Sequence, residues 1–325
     1  MGFDLMYGSV LLLFSVASYK IVRSAPARRW TLKLLKTLPL MVTVLLWAWL
    51  VGLWVLPKGL KWHEVLRVPR HLWVLDHHNI PDGVQRQRLS YGEDARQYYY
   101  YYPALEDSPH PERVVVFWHG GAWTTGHPDQ HHYLAHLLQK KGYTLIFPAY
   151  RLTPKYDFEH LQADVNAALL HSLDHLKGQG IQQPELILGG TSAGGNLAAL
   201  LAYDETRWEG LGLNRQALLK GVFSIAGALD LNHMESTIAL REYAGKVDET
   251  SFTLANPKTW VNAQDNFPFL CLHGNKDGLV DYAAAHSFCE AVRLFCPDCV
   301  HFQTFDNMTH LQVAAMWYYR PKDLR

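Results

Sequence analysis

The stretch "LILGGTSAGGNLAAL" places Ser192 in Gly190-Thr191-Ser192-Ala193-Gly194, between an apolar run and a helical pattern. A serine on a sharp strand-to-helix turn exposes its hydroxyl, and only very small neighbours leave room for that turn. Gly190 and Gly194 supply the room, with Gly195 beside them. The helix that follows aims its N-terminus at the same spot and favours negative charge there. Such a serine suits attack on a carbonyl carbon, but a hydroxyl is a poor nucleophile without a base that an acid orients. Downstream, "FLCLHGNKDGLVDY" puts Asp277 after an apolar strand, and "FQTFDNMTHLQV" puts His310 after the last strand. Asp281, Asp306 and Asp230 are rivals for the acid. Asp281 is expected to begin the next helix, Asp306 lies too close in sequence to His310, and Asp230 follows an earlier strand. Asp277 is the expected acid, His310 the base and Ser192 the nucleophile.

A second stretch, "VVVFWHGGAW", ends an apolar strand in His119, Gly120 and Gly121. Adjacent glycines cost conformational entropy, so bare backbone there implies a use for the backbone itself. The Gly120 and Gly121 N–H groups, with that of Ala193, are the expected donors to a developing oxyanion.

These residues need a scaffold that brings strand ends together. From about residue 86 the chain alternates strands and helices. The strands are "QRQRLSYG", "QYYYYYPAL", "RVVVFWHG", "YTLIFPAY", "ELILGG", "LKGVFSIAG", "FPFLCLHG" and "VHFQTFD". Helices are expected at "HHYLAHLLQKKG", "LQADVNAALLHSLDHLKGQG", "AGGNLAALLAYDE" and "YAAAHSFCEAVRLF". Continuous apolar runs separated by helices predict a mostly parallel sheet covered on both faces. In such sheets ligands sit beyond the carboxyl ends of the strands, where Ser192, Asp277 and His310 all fall. The tyrosines Tyr98 to Tyr102 read as a strand with two faces to pack.

Together "HGGAW", "AYRLTP", "GTSAGGNLAA", "HGNKDGLV" and "MTH" resemble the hormone-sensitive-lipase-like serine esterases of the α/β-hydrolase fold. Trp123 makes the resemblance closest to the kynurenine formamidase, feruloyl esterase and prenylcysteine methylesterase branch. The resemblance covers roughly residues 86–320 and implies the roles given above. Two departures stand out: Thr191 replaces a common Asp, and Ala122 replaces a third glycine.

The first 57 residues read as a membrane anchor of one or two transmembrane helices, 58–85 as a linker, and 86–325 as the catalytic domain. Thr37 to Pro57 holds no charged residue across 21 positions and carries Trp47, Trp49 and Trp54, about the ~20 residues a spanning helix needs. Leu5 to Tyr19 is uncharged for 15 residues. Between them lie Lys20, Arg23, Arg28, Arg29, Lys33 and Lys36. By the positive-inside rule this loop is cytoplasmic and, with two spans, the catalytic domain is lumenal or extracytoplasmic. Lys58, Lys61, Arg67 and Arg70 oppose that orientation, and a single span reverses it.

Over all 325 residues the chain holds 30 basic and 30 acidic side chains, which gives no footing for nucleic acid. Cys271 reads as a buried small hydrophobe, and Cys296-Pro-Asp-Cys299 as a disulfide or, with His301, a zinc site lacking its second pair. His127, Asp129, His131, His132 and His136 read as a solvated, histidine-rich helix start rather than a metal site. Residues 227–266 bring Leu231, Met234, Leu240, Tyr243, Phe252 and Trp260 between two strands, either as an apolar pocket or as ordinary helix packing. The expectation is a membrane-anchored carboxylesterase for apolar esters, with no cofactor or metal. An amidase or formamidase is the alternative, and a hydrolase-shaped binding protein without turnover the reading from another class.

Overall fold

In a computed structural model the structure describes residues 41–77, apart from 43, 46, 50, 53 and 54, and residues 84–319. The chain divides into two units, Met1–Leu56 and Pro57–Arg325. In the first, every described residue between 41 and 55 is helical. Among the described residues no helix is long and apolar enough to cross a membrane. The expected Leu5–Tyr19 span lies outside the described residues, as does part of Thr37–Pro57.

The second unit is built on eight strands: β1 (Gln87–Ser90), β2 (Tyr98–Tyr102), β3 (Arg113–Trp118), β4 (Thr144–Pro148), β5 (Glu185–Thr191), β6 (Leu219–Ile225), β7 (Phe269–Gly274) and β8 (Val300–Phe305). They form one sheet in the order β1-β2-β4-β3-β5-β6-β7-β8. β1 and β2 are antiparallel to their neighbours, and every pairing from β4 to β8 is parallel. The alternation of side chains along a strand feeds two cores. Val114, Val116 and Trp118 of β3 enter one cluster, while Val115 and Phe117 enter the other. The tyrosine strand divides the same way, Tyr99 and Tyr101 to the first face, Tyr100 and Tyr102 to the second.

Strand register carries the chemistry to one edge. Trp118 pairs with Gly190 and Thr191 with Ile225, so β3, β5 and β6 end level. Gly274 pairs with Phe305, which sets the loops after β7 and β8 side by side.

Six helices matter for the site or its support: α1 (Lys61–Val65), α2 (Val68–His77), α3 (His132–Gln139), α4 (Phe158–Gly178), α5 (Ala193–Tyr203) and α6 (Ile238–Ala244). In α4, Asp157 caps the N-terminus by accepting from the His160 N–H. Leu161, Val165, Leu169, Leu173 and Leu176 then fall on one buried stripe. Each such side chain contributes about 1.5–3 kcal/mol on burial. α5 is buried at every residue, which explains its almost wholly apolar sequence.

Residues 58–85, expected as a linker, instead carry α1 and α2 and belong to the second unit. The physical reason is tertiary: His63, Glu64, His71 and Leu75 are buried, although nothing in the local composition demands it. The segment 227–266 folds as short helices whose Leu231, Leu240, Tyr243 and Phe252 are buried in the first core, with Met234 and Trp260 packed against it.

Candidate active site

Ser192 takes φ 53° and ψ −119° between β5 and α5. A positive φ in a residue with a side chain is strained, and the glycines around it show why the turn is so tight. A Cβ on Gly190 would lie 2.2 Å from the Gly194 backbone, and one on Gly194 would lie 2.1 Å from the Trp118 carbonyl oxygen. The Ser192 N–H donates to the Ile225 carbonyl at 2.9 Å, fastening the turn to β6.

The loop after β8 brings His310 to this hydroxyl. Ser192 Oγ–H donates to His310 Nε2 at 2.9 Å, and His310 Nδ1–H donates to Asp277 Oδ2 at 2.8 Å. Asp277 also accepts from the Leu279 and Val280 N–H groups through Oδ1 and from His273 Nε2–H, at 3.2 Å, through Oδ2. Burial opposes ionisation of Asp277, yet the His310 charge and the hydrogen bonds from His273 and His310 outweigh it, holding the carboxyl well below its ordinary range. Burial likewise pushes His310 down, but the Asp277 charge and hydrogen bond, joined by the charge of Glu64, carry it above its ordinary value. The geometry can pass a proton from hydroxyl to imidazole while the carboxylate holds the imidazole's tautomer.

The rival acids are engaged elsewhere. Asp281 caps the helix Tyr282–Phe295 through the Ala283 N–H, and Asp306 accepts from Asn275. Asp230 is buried among Lys258, Ser287, Asn256 and His233.

The glycines after β3 press on the serine from another direction. A Cβ on Gly120 would lie 3.1 Å from Ser192 Cβ. Gly121, Ala122 and Trp123 all have positive φ, at 121°, 51° and 59°, and the Gly121 carbonyl accepts from both Thr124 and Thr125. His119 sets the first peptide of this loop. Its Nδ1–H donates to the Gly120 carbonyl at 2.7 Å, and its ring stacks on Tyr150 with centroids 4.3 Å apart. Arg96 donates to His119 Nε2, to the Tyr150 carbonyl and to the Gly126 carbonyl. In a trans peptide the N–H points opposite to the carbonyl, so holding Gly120 C=O toward His119 turns the Gly121 N–H the other way. Burial, then the Arg96 charge, push His119 far below its ordinary value, which leaves it neutral. Ala193 opens α5, so its N–H has no partner within the helix.

A model of the BD-FAE family matches residues 100–292, more than half of the chain. The chain belongs to the BD-FAE family. Among similar curated proteins, "Probable carboxylic ester hydrolase LipM" of Mycobacterium tuberculosis is 30% identical over 187 residues, 54% of this chain and 43% of LipM. Kynurenine formamidase of Danio rerio is 28% identical over 170 residues, 49% of this chain and 54% of the relative. The chain thus spans about half the length of these curated relatives. An inhibited esterase B from Lactobacillus rhamnosis superposes with a TM-score of 0.62 at 19% identity, covering 80% of this chain and 88% of that one. The α/β-hydrolase fold expected from the motifs is the one this BD-FAE chain adopts.

The histidine-rich stretch departs from expectation. His131 and His132 are buried rather than solvated. His131 packs its ring on Phe117 with centroids 5.0 Å apart, and His132 takes hydrogen bonds with Tyr102, Asp129 and Arg86. Among the described residues no group of three His, Cys, Asp or Glu side chains is placed to hold a metal ion. Cys296 and Cys299 form a disulfide, and Cys271 and Cys289 are buried free thiols. One residue of the site was absent from the sequence reading altogether. Glu64 of α1 is fully buried and accepts from the His310 N–H at 2.6 Å. The apolar periodicity of 60–75 signals helix, but no signal in the sequence points Glu64 toward a loop 246 residues away.

Proposed function

We propose that the chain is a membrane-anchored serine carboxylesterase acting through Ser192, His310 and Asp277. Ser192 Oγ attacks the ester carbonyl as His310 Nε2 takes its proton, and Asp277 stabilises the imidazolium. The N–H groups of Gly120, Gly121 and Ala193 receive the oxyanion. His310 returns the proton to the leaving alcohol, water attacks the acyl-serine by the same route, and Ser192 is regenerated. The observation that carries this reading is the unbroken relay from Ser192 Oγ through His310 to Asp277 at 2.9 and 2.8 Å, on a backbone strained at Ser192. The names of relatives and of solved structures with the same fold agree with it.

Within the anchor of residues 1–57, Thr37–Pro57 is uncharged throughout, and its described side chains Met41, Leu45, Trp47, Val51 and Val55 are exposed. A disulfide at Cys296–Cys299 favours an oxidising compartment, hence a lumenal or extracytoplasmic catalytic unit. An enzyme tethered to a bilayer meets apolar esters first, such as lipid, sterol or prenyl esters.

A fluorophosphonate probe should label the purified full chain, and Ser192→Ala should abolish the labelling. Labelling that survives in Ser192→Ala overturns the assignment. A chain-length series of p-nitrophenyl esters run beside a formamide substrate separates the esterase from an amidase of kynurenine formamidase type. Rates independent of acyl length count against an apolar pocket.

A further inference from the structure

The segment that precedes the sheet is fastened to both loops that carry the base and the acid. Lys58 Nζ donates to the Asn307 carbonyl at 2.8 Å, and Lys61 pairs with Glu235 at 2.8 Å. A Cβ on Gly278 would lie 2.8 Å from the Leu60 carbonyl group, so the backbone entering α1 lies directly on the loop after Asp277. From this packing Glu64 reaches inward. Its Oε1 accepts from the His310 N–H at 2.6 Å and from the Gly278 N–H at 3.3 Å, and its Oε2 accepts from the Leu311 N–H at 3.3 Å. A buried carboxyl without partners costs several kcal/mol, and here three backbone amides supply them. Two of those amides flank the base and the third follows the acid by one residue. No side chain of Ser192 or Asp277 lies among its hydrogen-bond partners.

We infer that Glu64 is a positioning residue, a carboxylate from outside the sheet that fixes the His310 backbone against the Asp277 loop and so sets the distance from imidazole to hydroxyl. The inference rests on the triad reading above and adds a fourth residue to it, one that touches no substrate. Displacing a reacting group by 1 Å can cost about 10² in rate. In the full chain, Glu64→Ala should therefore lower kcat on a p-nitrophenyl ester by about 10² and leave KM within about threefold. Glu64→Gln retains an acceptor oxygen for His310 and Gly278 and should stay within about tenfold of wild type. Glu64→Asp keeps the charge but shortens the reach, and should fall near Glu64→Ala. If Glu64→Ala fails to fold, the ranking of Glu64→Gln above Glu64→Asp decides the matter. A purely structural role would instead lower the melting temperature and the amount of active enzyme without that ranking. Glu64→Ala retaining kcat within about threefold, Glu64→Asp matching or exceeding Glu64→Gln, or a loss confined to KM would each overturn the inference. Ser192→Ala run alongside separates the failures: persistent probe labelling there sinks the triad, whereas a silent Ser192→Ala with an unimpaired Glu64→Ala sinks only the role of Glu64.

Discussion

His310, at the start of the short helix His310–Ala314, and His119, in the loop after β3, are both shut away from solvent, and they are driven in opposite directions. His310 is faced by the carboxylates of Asp277 and Glu64, which overcome the effect of burial and raise its affinity for a proton. His119 is buried beside the guanidinium of Arg96, and burial and that charge together outweigh its hydrogen bond to the Gly120 carbonyl and keep it neutral. Burial alone therefore assigns no chemical role to a histidine. The sign of the neighbouring charge does: it tunes one imidazole to hold a proton and keeps the other neutral, a fixed strut for the Gly120 peptide.

The largest expected effect comes from removing the anion on one side of this contrast. Asp277→Asn should lower kcat/KM by about 10⁴, because the amide no longer enforces the His310 tautomer with Nε2 bare. An Asp277→Asn enzyme within tenfold of wild type would mean that another group orients the base. Next in size is His119→Ala, which frees the Gly120 carbonyl and lets the Gly121 N–H turn away. The loss of one oxyanion donor costs about 10²–10³ in kcat, and that is the change expected in steady-state assays of folded variant. Smallest is the effect of pH. The proposed mechanism needs neutral His310, so kcat/KM should fall about tenfold per pH unit on an acid limb lying above the ordinary imidazole value of about 6.5. His119 should add no second limb. A profile with two acid limbs, one of them abolished by His119→Gln, would break the comparison.

The shifts of His310 and Asp277 both stabilise the fold, but with opposite dependence on pH. The folded pKa of His310 is raised, so its contribution is full below about 6.5 and is lost as pH climbs through the folded value. That of Asp277 is depressed, so its contribution is full above about 3.9 and is lost as acid titrates it toward its lower folded value.

Much of this site was legible because its parts are local. The elbow at Ser192 needs a strand, small neighbours and a helix within a dozen residues, and His119-Gly120-Gly121 declares itself by glycines where a side chain would crowd Ser192 at Gly120 and strike the Thr125 backbone at Gly121. The central strands follow from apolar runs, since a sheet buried on both faces leaves no polar alternation to obscure them, whereas the edge strands β1 and β8 are polar or alternating and partly exposed. What escaped the sequence depends on distant partners. Glu64 acquires its role from amides 214 and 246 residues away. His131 and His132 look like polar residues at a helix start until Phe117 and Tyr102 cover them.

The stack of Trp123 on Tyr243, with centroids 4.2 Å apart, ties the glycine loop to α6. The Tyr243 hydroxyl is in turn keyed to Asn196 of α5 and to Gln162 of α4. A helix joined at that point cannot shift independently of the glycine loop, α5 and α4. Any shift of α6 would tug the indole and with it the Gly120–Gly121 backbone just upstream, so substitutions in α6 act at a distance on the amides that the proposed mechanism assigns to the oxyanion.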